Sequence, residues 1–172
     1  MKIAVLSDSH DNIWKLDDAM PHLKRVEAVI HCGDLCSPFM ARFLGDGLGG
    51  IPLHIVWGNN DGDRLLMAQV ASQFSNITLH GQLAVLTLGG LTVAVNHYPE
   101  IARGLALSGQ YQCVCHGHDH QARAEWIGGC LLLDPGELMG LKGRSSLALL
   151  DTGSREVEWV DLQSGATEEA AG

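Results

Sequence analysis

The chain has 172 residues, of which 46% are hydrophobic and 18% are charged, and its formal net charge is −9. This balance excludes an intrinsically disordered chain, and the length suits one domain that folds without disulfides. The negative charge also argues against a nucleic-acid-binding module that works through phosphate contacts.

The first half of the chain alternates predicted strands with predicted helices. The strands cover residues 2–7, 27–32 and 51–57, and the helices cover residues 12–24, 38–44 and 64–74. Ser37 before Pro38 predicts the start of the second helix, and the stretch from Gly45 to Gly50 predicts a turn after it. The third helix is expected to face inward with Leu65, Leu66, Met67 and Val70. This alternation predicts a parallel sheet covered by helices.

The second half of the chain changes to short strands. They are predicted at residues 77–80, 83–88, 91–95, 113–116, 122–127, 130–133, 146–151 and 156–161, with one helix at residues 100–107. Pairs of glycines between neighbouring strands indicate tight hairpins. We therefore predict an α/β fold with two sheets in one domain over residues 1–162. Residues 163–172 are predicted to be a flexible acidic tail.

Two features of the sequence indicate a cytoplasmic protein. The apolar run after Lys2 is four residues long, whereas a signal peptide needs about 7–15 and a transmembrane helix about 20. The five cysteines are odd in number, and their spacing is not that of a zinc ribbon, so we interpret them as small buried side chains rather than disulfides. They are Cys32, Cys36, Cys113, Cys115 and Cys130.

Polar side chains that can bind metal follow many of the predicted strands. They are Asp8 and His10 after the first strand, Asp34 after the second, Asn59 and Asp61 after the third, His97 after strand 91–95, and His116, His118 and His120 after the apolar residues 113–115. In open α/β sheets, ligands bind beyond the carboxyl ends of the strands. We expect these side chains to converge on one edge of the fold.

Most of these residues also have an ordinary local explanation. Asp8 would suit a helix cap, Asp34 and Asn59 would suit turns, and His97 would suit a buried histidine in the core. The pair of histidines at positions 118 and 120 is harder to explain in this way. The order in which all of the residues occur is the stronger observation.

That order reads Asp8-Ser9-His10, Gly33-Asp34, Gly58-Asn59-Asn60-Asp61, His97 and Gly117-His118-Asp119-His120. It resembles the calcineurin-like metallophosphoesterase superfamily, and within it the small bacterial and archaeal phosphodiesterases of the YfcE type. The resemblance covers residues 1–140, where Asp134-Pro135-Gly136 is similar to the Asn-Pro-Gly block of that family.

The resemblance implies a four-layer α-β-β-α sandwich of two mixed sheets with a dinuclear metal centre. One cation would be held by Asp8, His10, Asp34 and His120, and the other by Asp34, Asn59, His97 and His118. Asp34 would bridge both cations, and a hydroxide between them would attack phosphorus in line. Manganese is the first choice of metal, but mixed histidine and carboxylate ligands also suit iron, nickel, zinc or cobalt.

The motifs depart from the family pattern in ways that concern the substrate and the proton donor. Many phosphomonoesterases of the superfamily have a histidine where this chain has Asn60, and the residues around His97 and after His120 also differ. An asparagine cannot protonate a leaving group. Asp34, Asn59 and His97 are the predicted catalytic residues, and Asp61 is a candidate acid if burial raises its pKa.

The prediction is therefore a dinuclear metal-dependent phosphodiesterase that acts on a small-molecule phosphoester, and the sequence leaves open whether it forms a homo-oligomer. The alternatives are a phosphomonoesterase and a non-catalytic protein-binding scaffold of the same fold. A metallo-β-lactamase is disfavoured because Asp119 follows His118 directly, one residue too early for that motif. Arg64, Arg123, Lys142 and Arg144 are candidates for holding a substrate phosphate, and His31 and His116 are candidates for orienting ligands.

Overall fold

The computed structural model describes residues 1–162, and the predicted tail at residues 163–172 lies outside the described residues. In chain order the elements are β1 (Lys2–Leu6), α1 (Ile13–Leu23), β2 (Ala28–His31), α2 (Pro38–Leu48), β3 (Leu53–Ile55), α3 (Arg64–Ala71), β4 (Ile77–Leu79), β5 (Ala84–Leu88), β6 (Leu91–Val95), α4 (Pro99–Leu107), β7 (Cys113–Cys115), β8 (Arg123–Ile127), β9 (Cys130–Asp134), β10 (Ser146–Asp151) and β11 (Val157–Asp161). Helices α1 and α3 begin at side-chain caps, whereas α2 and α4 begin at a proline without one. Asn12 accepts a hydrogen bond from the Lys15 amide at 3.1 Å, and Asp63 accepts one from the Leu66 amide at 3.0 Å.

The strands form two mixed sheets. The first sheet has six strands in the order β11-β10-β1-β2-β3-β4, and the second has five in the order β5-β6-β7-β9-β8. Strands β1 to β4 are parallel, and so are β6, β7 and β9. The carboxyl ends of these parallel strands carry the loops in which the predicted ligands lie.

Three apolar cores separate four layers. Helices α1, α2 and α3 cover one face of the first sheet, the two sheets pack face to face, and α4 covers the outer face of the second sheet. Strand β1 shows how one sequence serves two cores, because Ala4 and Leu6 face the helices while Ile3 and Val5 face the second sheet. The predicted α-β-β-α sandwich is confirmed.

Helix α2 runs four residues further than predicted. Gly45 was expected to begin a turn, but it lies inside the helix, where an added Cβ would come within 2.6 Å of the Phe74 ring. A Cβ added at Gly47 would likewise collide with the end of the Met20 side chain. These glycines allow close packing rather than a turn, and the helix ends at Gly49 with φ of 59°.

The inward face of α3 is narrower than predicted. Met67 and Val70 are buried, but Leu65 and Leu66 are 73% and 44% exposed. A helix advances about 100° per residue, so positions 65 and 66 turn away from the face that carries positions 67, 70 and 71. The expectation of four inward side chains was wrong for these two leucines.

Within residues 1–162, no helix has both the length and the apolar character needed to cross a membrane.

Candidate metal centre

The predicted ligands converge at the edge where the parallel strands of both sheets end. They follow β1 (Asp8 and His10), β2 (Asp34), β3 (Asn59), β6 (His97) and β7 (His118 and His120). A cavity of about 600 Å³ opens at this edge, and its walls include five of the seven. The other two, Asp8 and His97, are fully buried beneath it.

Five of these residues adopt a backbone conformation that L-amino acids rarely use. The φ angles are 54° at Asp8, 39° at His10, 59° at Asp34, 77° at His118 and 62° at His120. Such left-handed residues cost about 1 kcal/mol or more each and persist only when the surrounding structure holds them in place. Each bend turns a side chain from the end of its strand towards the cavity, so the strain is concentrated at the candidate site.

Two glycines of the motifs are required by close approach to the carboxylates. A Cβ at Gly58 would lie 2.6 Å from the Asp34 amide nitrogen and would overlap the Asp34 carboxylate. A Cβ at Gly117 would lie 2.5 Å from Asp8 Oδ2 and would overlap the Ser7 hydroxyl. Both glycines therefore leave room for a carboxylate at the centre of the site.

One group of donor atoms surrounds Asp8. His120 Nε2 lies 3.3 Å from Asp8 Oδ1, and His10 Nε2 lies 3.7 Å from the same oxygen. His10 Nε2 is also 3.5 Å from Asp34 Oδ2. These atoms face one another across a small gap, as ligands of a single cation do.

A second group surrounds Asp34. His97 Nε2 lies 3.5 Å from Asp34 Oδ2 and 3.1 Å from Asn59 Oδ1. The His118 ring lies beside the His97 ring with 5.1 Å between centroids, and the His118 amide donates to Asp8 Oδ2 at 3.0 Å. The His118 side chain lines the cavity but lies outside the tight donor clusters around the two aspartates.

The donor set fits divalent cations. Two ligands that are each about 2.1 Å from one ion lie about 3.0–3.4 Å apart in octahedral or tetrahedral geometry, close to the distances measured around Asp8 and Asp34. Asp8 Oδ1 and His10 Nε2 are both buried without a hydrogen bond of good geometry, although buried polar atoms normally have partners. A cation between them would satisfy both.

The electrostatics of the site also suit positive charge. Burial opposes ionisation of Asp8, but its contacts with His10, Ser7 and the His118 amide outweigh this effect and lower its pKa. Burial likewise opposes ionisation of Asp34, and hydrogen bonds from His97 and Asn60 outweigh it and lower its pKa. Both carboxylates are therefore anionic at neutral pH and available to a metal.

The ligand histidines respond to the same carboxylates. The contact with the Asp8 carboxylate raises the pKa of His10 against the opposing effect of burial. Burial lowers the pKa of His97, but its contacts with Asp34 outweigh this and leave the pKa raised. A raised pKa means that a proton competes more strongly with a cation for these ring nitrogens.

Neighbouring groups hold two of the ligand rings in the required orientation. His97 Nδ1 lies 2.8 Å from the Cys32 carbonyl oxygen, to which it donates, and His120 Nδ1 donates to Glu137 Oε2 at 2.7 Å. Each of these hydrogen bonds places the proton on Nδ1 and leaves Nε2 free to bind metal.

Sequence reasoning missed Glu137. This residue is fully buried, and its other oxygen, Oε1, accepts hydrogen bonds from the amides of Lys142 and Gly143 at 2.6 and 2.9 Å. It therefore joins the metal-facing His120 to the loop at residues 139–143. The available signal was its place directly after the Asp134-Pro135-Gly136 block, but nothing local in the sequence points to the contact.

Asp61 lies beside the site with a different set of contacts from those expected of a general acid. Its carboxylate is buried and accepts hydrogen bonds from the amides of Asp34, Cys36 and Gly58 at 3.1, 2.9 and 2.7 Å. These bonds hold the loops after β2 and β3 together. Asp61 is not among the residues that line the cavity.

Asn60, the departure from the family pattern, contacts the predicted bridging carboxylate directly. Its amide nitrogen donates to Asp34 Oδ1 and its side-chain Nδ2 donates to Asp34 Oδ2, both at 2.7 Å. Two short bonds to a charged acceptor fix the carboxylate plane. Asn60 therefore orients Asp34 from within the cavity wall.

His31 and His116 both lie behind the metal-facing residues. His31 is fully buried, which lowers its pKa to about 4, so the ring is neutral. Its Nε2 lies 3.1 Å from Ser9 Oγ, and its Nδ1 accepts from the Gly33 amide at 3.2 Å. This ring braces the loop after β1 against the loop after β2.

His116 belongs to a buried cluster with two acids. Its Nδ1 lies 3.5 Å from Asp134 Oδ2, and Asp119 approaches the same carboxyl group. Burial, and then the hydrogen bond with Asp119, raises the pKa of Asp134 to about 9. At neutral pH Asp134 is therefore protonated, which makes it a hydrogen-bond donor like the asparagine of the family motif.

Of the four cationic candidates, only Lys142 lines the cavity. Arg64 donates to the carbonyl oxygens of Gly58 and Asp61, while Arg123 and Arg144 form ion pairs with Asp119 and Asp161. Within residues 1–162, no carboxylate oxygen lies within 4.0 Å of Lys142 Nζ, in contrast to Arg123 and Arg144.

Comparison with known proteins agrees with this fold. Residues 1–155 match the calcineurin-like phosphoesterase superfamily domain. The phosphodiesterase MJ0936 of Methanocaldococcus jannaschii is 28% identical over 168 residues, which cover 95% of this chain and all of that protein. The structure of an archaeal phosphodiesterase superposes with a TM-score of 0.87 at 28% identity, covering 94% of this chain and 99% of that one.

A more distant structure shares the fold. The phosphoesterase YfcE of E. coli has a TM-score of 0.65 at 15% identity, covering 95% of this chain and all of that chain. With a match across residues 1–155, the chain belongs to the calcineurin-like phosphoesterase superfamily. This confirms the resemblance derived from the motifs and the prediction of a phosphoric ester hydrolase.

Proposed function

We propose that the chain is a dinuclear metal-dependent phosphodiesterase. The observation that carries the proposal is the position of Asp34, whose Oδ2 lies 3.5 Å from both His10 Nε2 and His97 Nε2. One carboxylate that faces two separate imidazoles suits a ligand shared by two cations. The similarity to phosphodiesterase MJ0936 supports the reaction class.

Each cation has its own set of residues under this proposal. Asp8, His10, Asp34 and His120 would hold one, and Asp34, Asn59, His97 and His118 would hold the other. When bound, the two ions would lower the pKa of a water molecule and neutralise charge on the phosphoryl oxygens. Manganese is our first choice, and the ligand types equally accommodate iron, nickel, zinc or cobalt.

Residues beside the candidate ligands orient the Asp34 carboxylate and determine whether a leaving group can be protonated. Asn60 holds the Asp34 carboxylate in one plane, and Asp61 ties together the two loops that carry Asp34 and Asn59. We assign Asp61 this structural role instead of the proton transfer first considered for it. Asn60 cannot protonate a leaving group, so we infer a preference for esters whose leaving group is already a stable anion.

Charge favours diesters over monoesters. The protein carries a net charge of −9, and a diester brings one negative charge fewer than a monoester dianion.

A protein-binding scaffold of the same fold is the remaining alternative, and it would have no need for all seven ligand residues or for strained backbone at five of them. We also propose that residues 1–162 form a single domain and that the protein is cytoplasmic.

The test combines metal analysis with hydrolysis of activated esters. Protein purified without chelator should contain close to two divalent ions per chain and should hydrolyse bis-p-nitrophenyl phosphate faster than p-nitrophenyl phosphate. Prolonged dialysis against chelator should abolish activity, and Mn²⁺ should restore it. The matched variants are Asp34→Asn at the site and Asp46→Asn on the exposed surface of α2. Full activity in excess chelator would contradict the metal-dependent mechanism.

A further inference from the structure

The cavity beside the metal-facing residues has a second wall of different chemistry. It is formed by Met139, Gly140, Leu141 and Lys142, which lie between β9 and β10. Leu141 is 78% exposed, which is unusual for a leucine. Lys142 contributes a cation to the same cavity, in a protein with 20 acidic and 11 basic residues.

The backbone of this wall is held in place at both ends. The side chain of Asn12 donates to the Met139 carbonyl oxygen at 2.9 Å, and the Met139 amide donates to the Asp8 carbonyl oxygen at 3.0 Å. At the other end, Glu137 accepts from the amides of Lys142 and Gly143. The wall is therefore tied to the loop that carries Asp8 and, through Glu137, to His120. A preorganised wall loses little entropy when it binds a ligand.

The charges around Lys142 leave it available to a ligand. Within the described residues, Arg123 and Arg144 are paired with carboxylates, whereas Lys142 has no carboxylate oxygen within 4.0 Å. The reacting phosphoryl group would be neutralised at the metal-facing residues, so it does not need this lysine. Within residues 1–162 the Lys142 ammonium group has no carboxylate partner, and together with the exposed Leu141 in the same wall it suits a ligand that has a ring with an apolar face and a further anion.

We propose that residues 139–142 form a subsite for a phosphodiester that carries a second anionic group on the ring of one substituent, as a nucleoside 3′-phosphate does. Lys142 binds that second anion, and Leu141 and Met139 contact the ring between the two anions. The inference rests on the proposed phosphodiesterase function and names its substrate class. A charge-assisted contact of this kind is worth about tenfold in affinity at a partly exposed position.

The experiment uses the Mn²⁺-loaded protein and two ligands that differ only in the second anion. These are thymidine 5′-monophosphate and thymidine 3′,5′-bisphosphate, with dissociation constants measured by calorimetry at saturating metal. The wild-type protein should bind the bisphosphate at least about tenfold more tightly. Lys142→Gln should abolish that difference, while Lys24→Gln, an exposed lysine of the helix α1 end, should keep it. Leu141→Ser should weaken both ligands by the same factor.

A second readout connects the subsite to turnover. The p-nitrophenyl 5′-phosphodiesters of thymidine and of thymidine 3′-phosphate should differ in KM in the wild type, and Lys142→Gln should raise KM only for the second, with kcat unchanged. Raising the salt concentration should weaken the 3′-phosphate preference of the wild type, because ions screen the contact. Two results would overturn the subsite alone: equal binding of both ligands by the wild type, or a 3′-phosphate preference that survives in Lys142→Gln. In either case the protein would still hydrolyse the thymidine phosphodiester. Loss of metal binding and of all hydrolysis would overturn the phosphodiesterase and the subsite together.

Discussion

Replacement of Glu137 by glutamine should weaken metal binding without changing the shape of the site. The Glu137 carboxylate accepts from His120 Nδ1 through one oxygen and from two loop amides through the other. A glutamine has only one acceptor oxygen. If that oxygen stays with the two amides, the new NH₂ group faces His120 Nδ1, which must then lose its proton. The proton moves to Nε2, the atom that faces Asp8 Oδ1 at 3.3 Å, and that atom can no longer bind a cation.

The expected loss of metal affinity can be estimated from the hydrogen bond between His120 and Glu137, which the substitution reverses. Groups that hold a ligand histidine from behind typically contribute 10- to 100-fold to metal affinity, which is about 1.4–2.7 kcal/mol. The bond from His120 is short and buried, and it runs to a charged acceptor, so we expect the upper half of that range. The loss should concern the cation near Asp8 and leave the cation near His97 in place.

Calorimetric titration with Mn²⁺ provides the measurement, on the wild type, on Glu137→Gln and on Glu100→Gln as an exposed control. We expect one of two binding steps to weaken by about 30- to 100-fold in Glu137→Gln and neither to change in the control. The melting temperature of the metal-free variant should remain close to that of the wild type, because the loop amides keep their acceptor. Wild-type affinity at both steps would show that Glu137 only supports the loop and does not set the state of His120.

Three further substitutions test other parts of the structure. Asp34→Asn should lower phosphodiester hydrolysis by at least about a hundredfold and reduce metal content, because both cations lose a shared anion; full metal content with normal turnover would contradict the bridge. Asp134→Asn should stabilise the metal-free protein at pH 8 more than at pH 5. The folded state keeps a proton on Asp134 up to about pH 9, whereas the carboxyl group of the unfolded chain has its ordinary pKa of 3.8. Stability therefore falls as pH rises between these values, and thermal melts at pH 5 and pH 8 check this. Asn60→His should flatten the dependence of rate on leaving-group pKa across a series of aryl and alkyl diesters, while equal slopes would mean that the ring does not reach the leaving oxygen.

The parts of the structure that could be predicted are those in which the determining residues are close together in the sequence. Gly33 next to Asp34 and Gly58 next to Asn59 mark strand ends where the backbone of another segment comes too close for a side chain. The order of the motifs also predicts that the candidate ligands meet at one edge of the fold. The length of α2 was not visible in this way, because Gly45 reads as a turn until Phe74 is known to pack against it. The local sequence around Gly45 does not show that a side chain 29 residues away packs against it.

In the candidate site, too, features set by one motif could be predicted, whereas contacts between distant segments could not. The predicted ligands are properties of single motifs, but the contacts of Glu137 join β9, the β7 loop and a loop further along the chain. Asp61 has a suitable residue type and position for an acid, yet its role depends on three amides from two different loops. Residue types can be derived from motifs, whereas the direction in which each side chain points depends on packing between distant segments.

The left-handed backbone at five predicted ligands bears on how this fold can change in evolution. A glycine at His10 or His118 would relieve local strain and raise the stability of the metal-free chain, by about 1 kcal/mol at each position. Mutations that remove a ligand would therefore tend to be stabilising once catalysis is no longer selected. A lineage that needed only the surface of this sandwich could replace these five residues with little cost to folding.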